Sequence, residues 1–179
     1  MQLIQLINYS VTQLFYMKQK SESELLHLAA AYCSAAERSI YDVRKKITSY
    51  GGSTEVAERI ISYLVKEKFI DETRFCRSFV NDKFRFNHWG RIKINYELRK
   101  KEITSALIEE AIDNIDEESY LETLQELLKS KKRTVKGRNE QDIFSKLYRF
   151  AISRGFENNV VAKQLSLLLK NNDYANDME

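Results

Sequence analysis

The sequence predicts an all-α protein of three tandem three-helix repeats, stacked into an elongated, curved body. Proline is absent and only five glycines occur in 179 residues, so the usual punctuation of turns and hairpins is missing. Apolar residues recur at helical spacing rather than in alternation. One junction pattern also recurs. Ile94, Leu98, Ile103, Leu107, Ile108 and Ile112 align with Leu147, Ala151, Phe156, Val160, Val161 and Leu165, and more weakly with Val43, Ile47, Gly52, Val56, Ala57 and Ile61. A trio of this size buries its apolar face poorly alone, so neighbours are expected to pack end to end.

Residues 1–20 form an N-terminal extension with apolar positions Leu3, Ile4, Ile7, Val11, Leu14 and Phe15. It lacks the basic start of a signal peptide, and order and disorder stay equally open. The first repeat spans 21–70. Ser21 and Glu24 carry the signature of a capping box, followed at helical spacing by Leu25, Leu28, Ala29, Tyr32, Cys33 and Ala36. A second helix starts at Ser39 and runs through Val43 and Ile47 to Tyr50, where Gly51-Gly52 stops it. Ser53 caps a third, whose stripe is Val56, Ala57, Ile60, Ile61, Leu64 and Val65.

The second repeat, 71–115, opens at Asp71 as N-cap, with Ile70 and Phe75 spaced as a hydrophobic staple. The third, 116–170, opens the same way at Ile115, Asp116 and Tyr120. Between its first two helices lies the tract 129–138, with six cations and no anion, which reads as a basic loop or a frayed helix end. The tail 171–179 is polar and is expected to fray.

Hydrophobic residues make up 43% of the chain and charged ones 31%, which suits narrow helical cores and leaves no run long enough for a membrane span. Cys33 and Cys76 sit far apart within apolar helical patterns and read as buried reduced thiols of a cytoplasmic protein. His27 and His88 lack partners at ligand spacing and read as structural or surface histidines. Glu109-Glu110 and Glu117-Glu118 read as solvated charge rather than acid–base couples. No glycine-rich phosphate loop or nucleophile elbow is present. No catalytic activity, metal or cofactor is expected.

Phe75, Phe79 and Phe84 fall at core spacing, while Trp89, beside Gly90, either pins a turn or stacks on a partner. Net charge is only +3, but its distribution is uneven, with acidic residues gathered around Asp113–Glu126. On the helix from Arg91 to Lys101, Ile94 and Leu98 occupy one side, and Ile92 and Tyr96 lie nearly opposite. Both flanks are expected to pack, leaving a positive face with Arg91, Lys93, Arg99, Lys100 and Lys101.

Comparable groups occur at Arg44, Lys45 and Lys46, and at Lys146, Arg149 and Arg154, beside Lys131, Lys132, Arg133, Lys136 and Arg138 of the basic tract. Any one of these is accounted for by a solvated helix face. Stacked in register, together they would form a stripe suited to a polyanion, because phosphate contacts need charge at intervals and little sequence reading.

Five segments are similar to the RecX regulators of the RecA recombinase. They are Arg38-Ser39-x-x-Asp42-Val43-x-x-Lys46-Ile47, Phe69-Ile70-Asp71-Glu72-x-Arg74-Phe75, Trp89-Gly90-Arg91-x-Lys93-Ile94, Leu98-Arg99-x-Lys101-x-Ile103 and Arg154-Gly155-Phe156. The resemblance runs from about Ala29 to Lys170. Gly51-Gly52 and Lys101-Glu102-Ile103 depart from the family's lysine-glycine-apolar hinge, so a different bend is expected there.

The resemblance implies a non-enzymatic protein that lodges in the groove of a RecA filament on single-stranded DNA and bridges its subunits; nothing in the sequence points to an obligate assembly, so a monomer is expected. It also implies restraint of ATP turnover, strand exchange and the co-protease activity that triggers the SOS response. The basic stripe would then face the filament interior and its DNA. The rival reading is a helical-repeat protein that binds single- or double-stranded DNA directly, without a recombinase.

Overall fold

A computed structural model describes residues 20–176, so the expectations for 1–19 and 177–179 lie outside the described residues. All regular structure among the described residues is helical: α1 (Glu22–Ala35), α2 (Ile40–Ser49), α3 (Thr54–Lys66), α4 (Glu72–Arg85), α5 (Arg91–Arg99), α6 (Ser105–Asp113), α7 (Glu117–Lys132), α8 (Glu140–Ser153) and α9 (Asn158–Asn176). The chain divides after Glu72 into two compact units.

In the first unit the polar residues before each helix do what their chemistry favours. Ser21 Oγ accepts from the Glu24 N–H at 3.2 Å, while the Ser21 N–H donates to the Glu24 carboxylate at 2.8 Å, completing the capping box. Ser39 Oγ, fully buried, accepts from the Asp42 N–H at 3.1 Å and donates to the Asp42 carboxylate at 2.9 Å. Ser53 accepts from the Val56 N–H at 3.3 Å. Each cap satisfies helix-end donors that would otherwise face a partly dry surface. The helices close over Leu25, Ala29, Cys33, Val43, Ile47, Ala57, Ile60, Ile61, Leu64 and Ile70.

The second unit holds two helix trios around one core. Tyr120 and Phe156 are its largest fully buried side chains, with ring centroids 5.1 Å apart, and Phe84 lies 5.8 Å from Tyr120. Ile94, Leu98, Ile108, Leu124, Leu128, Leu147, Val161 and Leu165 are all sealed from solvent around them. Removing any one of these side chains would cost about 2–5 kcal/mol, because the packed surroundings relax only in part. The Asp116 carboxylate accepts from the Ser119 N–H at 2.8 Å, with Ile115 and Tyr120 buried on either side in sequence, as the repeated start signal requires.

The second helix of every trio ends in the same backbone device. Gly51, Glu102 and Gly155 adopt φ of 90°, 62° and 89°. Their N–H groups donate to Thr48, Arg99 and Ile152, three residues back. The next N–H, on Gly52, Ile103 and Phe156, reaches back five residues to Ile47, Leu98 and Ala151. This is the Schellman cap, repeated three times. The same cap therefore closes the second helix of all three trios, although the hinge sequences differ. Backbone hydrogen bonding makes this cap, and Glu102 adopts the left-handed conformation without being glycine.

The two trios of the second unit meet backbone to backbone. The Gly90 N–H donates to the Arg154 carbonyl at 2.8 Å and the Ile92 N–H to the Gly155 carbonyl at 3.0 Å. A β-carbon on Gly90 would fall on the Gly155 carbonyl, and one on Gly155 would fall on Lys93. Beside this contact the Arg91 N–H donates to the Tyr120 hydroxyl at 3.1 Å, and that hydroxyl donates to the Glu157 carboxylate at 2.6 Å. Burial, then the bond to Glu157, push the Tyr120 hydroxyl well above the ordinary phenol range, so it stays a donor at any physiological pH.

Four expectations need adjustment. Ile92 and Tyr96 are 53% and 61% exposed, so the second apolar flank of α5 does not pack as expected. The Gly90–Gly155 contact engages the α5 backbone at its N-terminus and leaves that flank in solvent. Val65 drops out of the α3 stripe and is exposed. Ile70 is buried with the first core and Phe75 with the second. Helix α9 continues to Asn176, past the expected fraying point at Asn171, because no proline or glycine follows Gly155 to stop it.

Replacing Glu102 with glycine removes the cost of a left-handed L-residue and should stabilise the protein by roughly 0.5–1 kcal/mol, read as a higher urea midpoint. Gly155→Ala combines a left-handed alanine with a clash against Lys93. It should cost roughly 3 kcal/mol, seen as a lower melting temperature in calorimetry.

Candidate functional site

Many of the cations marked in the sequence fall into two physical groups, and the rest stand in solvent or half-buried. In the first, side chains of the fold neutralise the charge. Arg44 pairs with Glu58 at 2.7 Å. Lys100 pairs with Glu97 at 3.1 Å, one turn back on α5. Lys146 reaches the Asp142 carboxylate at 2.9 Å and the Lys136 carbonyl at 2.8 Å, tying α8 to the loop before it. That ammonium holds the Asp142 carboxyl below the usual carboxylate range.

Arg91 is the most committed of all. Its guanidinium lies 4.0 Å from the Tyr120 ring centroid, 2.7 Å from Glu117 and 3.7 Å from Glu157. It serves the contact between the trios from a position the sequence marked only as basic.

The second group lies over aromatic rings. In the first unit Lys46 stands 4.8 Å from the Tyr50 centroid and 5.6 Å from Tyr32, and Arg38 stacks on Tyr32 at 4.1 Å. In the second unit Lys83 and Lys93 flank Trp89 at 5.3 and 4.6 Å, and Lys131 and Arg154 flank Phe150 at 5.3 and 5.5 Å. Lys101 lies 5.8 Å from the ring of buried Phe75.

Local folding places these rings. The Trp89 N–H donates to the Lys83 carbonyl at 3.0 Å after His88 turns to φ 52°, which lays the indole back along the end of α4. Arg154 donates to the Asn87 carbonyl at 3.2 Å and so bridges the trios.

Arg38 and Lys83, and the rings of Tyr32, Tyr50 and Phe150, were not marked as site residues. Phe79 and Lys83, four residues apart on one helix face with the ammonium 5.3 Å from the ring, carried the available signal. Lys45, Arg99, Arg133, Lys136, Arg138 and Arg149 are exposed, and Lys132 is half-buried. The basic tract itself splits. Its first four residues complete α7, whose C-terminal carbonyls favour positive charge, and the remainder is loop.

Among the described residues no group of three or more His, Cys, Asp or Glu is arranged to hold a metal ion, and no helix is long and apolar enough to cross a membrane. His27 bonds the Ser23 carbonyl at 2.8 Å, and His88 is exposed. Cys33 and Cys76 are buried free cysteines, and burial pushes the Cys33 thiol up. A groove of about 810 Å³ runs between α4 and the start of α7, with Val80, Phe84 and Ile115 at its base and Arg77 and Asp116 on its rim. Those two charges are already used, by Glu110 and by the α7 cap. Cations flanking partly exposed rings are chemically suited to polyanions and flat rings.

The family model described as RecX, second three-helix domain, matches residues 71–112, the trio α4 to α6. Regulatory protein RecX of Clostridium tetani (strain Massachusetts / E88) is 32% identical over 144 residues, covering 79% of this chain and 62% of its own length. Its counterpart from Prosthecochloris aestuarii (strain DSM 271 / SK 413) is 30% identical over 155 residues, covering 87% of this chain and 100% of its own. The chain spans under two thirds of the length of the first curated relatives it matches, 62% and 56%.

The crystal structure of RecX from Lactobacillus salivarius superposes with a TM-score of 0.70 at 19% identity, covering 82% of this chain and 96% of that one, a likeness of fold alone. From the repeated helix trio and from a relative matched along its whole length, the chain belongs to the RecX family of regulatory proteins.

Proposed function

We propose that this protein binds filaments of RecA recombinase on single-stranded DNA and restrains them, lowering ATP turnover, strand exchange and co-protease activity. It does so in the cytoplasm as a monomer, without chemistry of its own. Family membership supports the general reading, and one observation favours a nucleoprotein over bare DNA. Helix α5 presents exposed Ile92 and Tyr96 next to Arg99, on a groove that Asn95 and Glu109 also line. Tyrosine, isoleucine and arginine around a shallow groove are what a protein partner buries, whereas a phosphate backbone has no use for an exposed isoleucine.

The sequence-marked cations divide the work in this reading. Lys45, Lys46, Lys93, Lys131, Lys132, Arg133, Lys136, Arg138, Arg149 and Arg154 meet phosphate or filament. Arg99, Lys100 and Lys101 meet the recombinase beside Tyr96, while Arg44, Arg91 and Lys146 hold the fold that presents them. A body that touches DNA and more than one recombinase subunit restrains a filament whose subunits must move during each ATP cycle. Binding would show up mainly as slowed subunit motion.

Substoichiometric protein should strongly inhibit RecA ATPase and strand exchange on single-stranded DNA. The triple variant Arg99→Glu, Lys100→Glu, Lys101→Glu should need roughly tenfold more protein or worse, since three contacts change sign. Arg133→Glu, at the end of α7, should lose less. An unaffected recombinase, together with tight and steeply salt-dependent binding to bare DNA, would replace this reading with direct DNA binding.

A further inference from the structure

In the second unit two rings, Trp89 and Phe150, are each flanked by two cations, and the two groups adjoin along one path. Lys83 and Lys93 hold their ammonium groups over Trp89 at 5.3 and 4.6 Å. Gly155 lies against the backbone of Lys93, and its neighbour Arg154 donates to the Asn87 carbonyl, two residues before Trp89. Arg154 stands 5.5 Å from the Phe150 centroid, which Lys131 approaches to 5.3 Å. Both rings are half-buried, so part of each stays open to solvent.

No carboxylate among the described residues pairs with any of these four cations, whereas Arg44, Arg91, Lys100 and Lys146 all have one. Lysine stems shielding a ring would account for one such pair. That account gives no reason for all four cations of one path to lack carboxylates while Arg77 on α4, Arg91 on α5 and Lys146 on α8 have them.

We infer that this path is a track for unpaired nucleobases, with Trp89 and Phe150 as stacking platforms and the four cations as phosphate partners. The track rests on the nucleic-acid part of the proposed function and adds what tells a single strand from a duplex. Both carry phosphates, but only a single strand offers free base faces. An ammonium over a partly exposed ring is held weakly, so a base can take its place while the ammonium swings to the adjoining phosphate.

Trp89 is the only tryptophan of the chain, so its emission reports on the track directly. Titrating the full chain with oligothymidylate, with no recombinase present, should quench that emission to saturation. An abasic oligomer of the same length and a duplex should bind more weakly and leave it unchanged. Phe150→Leu should weaken oligothymidylate binding by about 5- to 150-fold while keeping the quench at saturation. Lys83→Gln should lower the slope of log affinity against log salt by about 0.7.

Equal affinity for the abasic oligomer and oligothymidylate, or an unquenched Trp89 at saturation, would overturn the track. The two readings fail separately. A chain quenched by oligothymidylate that leaves the recombinase unaffected keeps the track and loses the regulation. A chain that inhibits the recombinase but cannot tell oligothymidylate from the abasic oligomer keeps the regulation and loses the track.

Discussion

The second unit depends on two backbone hydrogen bonds, from Gly90 to the Arg154 carbonyl and from Ile92 to the Gly155 carbonyl. Hydrogen bonds of this kind contribute only about 0.5–1.5 kcal/mol each, so their influence is geometric more than energetic. They form only where two backbone segments approach with no β-carbon between them, and each glycine lacks one where a neighbour already stands. That approach lets Phe156 reach the centre of the core against Tyr120 and brings Arg154 to the end of α4. The shared core and the placement of the cations both follow from it.

Closeness of this kind creates a difficulty that the polar groups resolve. Burying the Tyr120 hydroxyl without partners would cost roughly 1–3 kcal/mol, and so would isolating the Arg91 N–H. The structure joins them, passes the hydroxyl proton toward Glu157, and lays the Arg91 guanidinium over the same ring. No buried side-chain polar atom among the described residues is left without a partner. Arg91 thus stands in a signature segment for a reason internal to the fold. Its two carboxylates come from α7 and from the turn before α9, so one side chain ties three elements of two trios together.

Much of this was legible in the sequence, and the parts that were share one property: they are local. A serine three residues before a glutamate or aspartate, an isoleucine ahead of an aspartate, and apolar residues at helical spacing each act within a turn or two. Ser21, Ser39, Ser53 and Asp116 all cap as their neighbours suggest. Glu102 was less legible, because no residue type marks it for a left-handed backbone. Only its place in the repeat does, between Gly51 and Gly155.

What the sequence could not convey is which cations remain available. Arg44 and Lys45 are adjacent and look alike, yet Glu58, fourteen positions on, pairs with the first. Arg91 and Lys93 look alike too, and their fates are decided by Glu117 and Trp89 respectively. The exposure of Ile92 and Tyr96 is hidden from the sequence for a related reason. Periodicity shows that a helix has two apolar flanks but says nothing about whether a second surface arrives to cover them.

The contrast between paired and ring-flanked cations also bears on how such a surface stays both folded and usable. An exposed ion pair contributes about 0–1 kcal/mol, and an exposed cation–π contact about 0.5–1 kcal/mol, so the two cost the fold almost the same to exchange. They differ in what a polyanion meets. A phosphate approaching Arg44 or Lys146 must displace a carboxylate of like charge, and it gains little by the exchange. A phosphate approaching Lys93 or Lys131 displaces nothing negative, and the ring that releases the ammonium offers its face to whatever accompanies the phosphate. The same number of lysines and arginines can therefore be inert on one helix and receptive on the next. Net charge, at +3 for the whole chain, is blind to that difference.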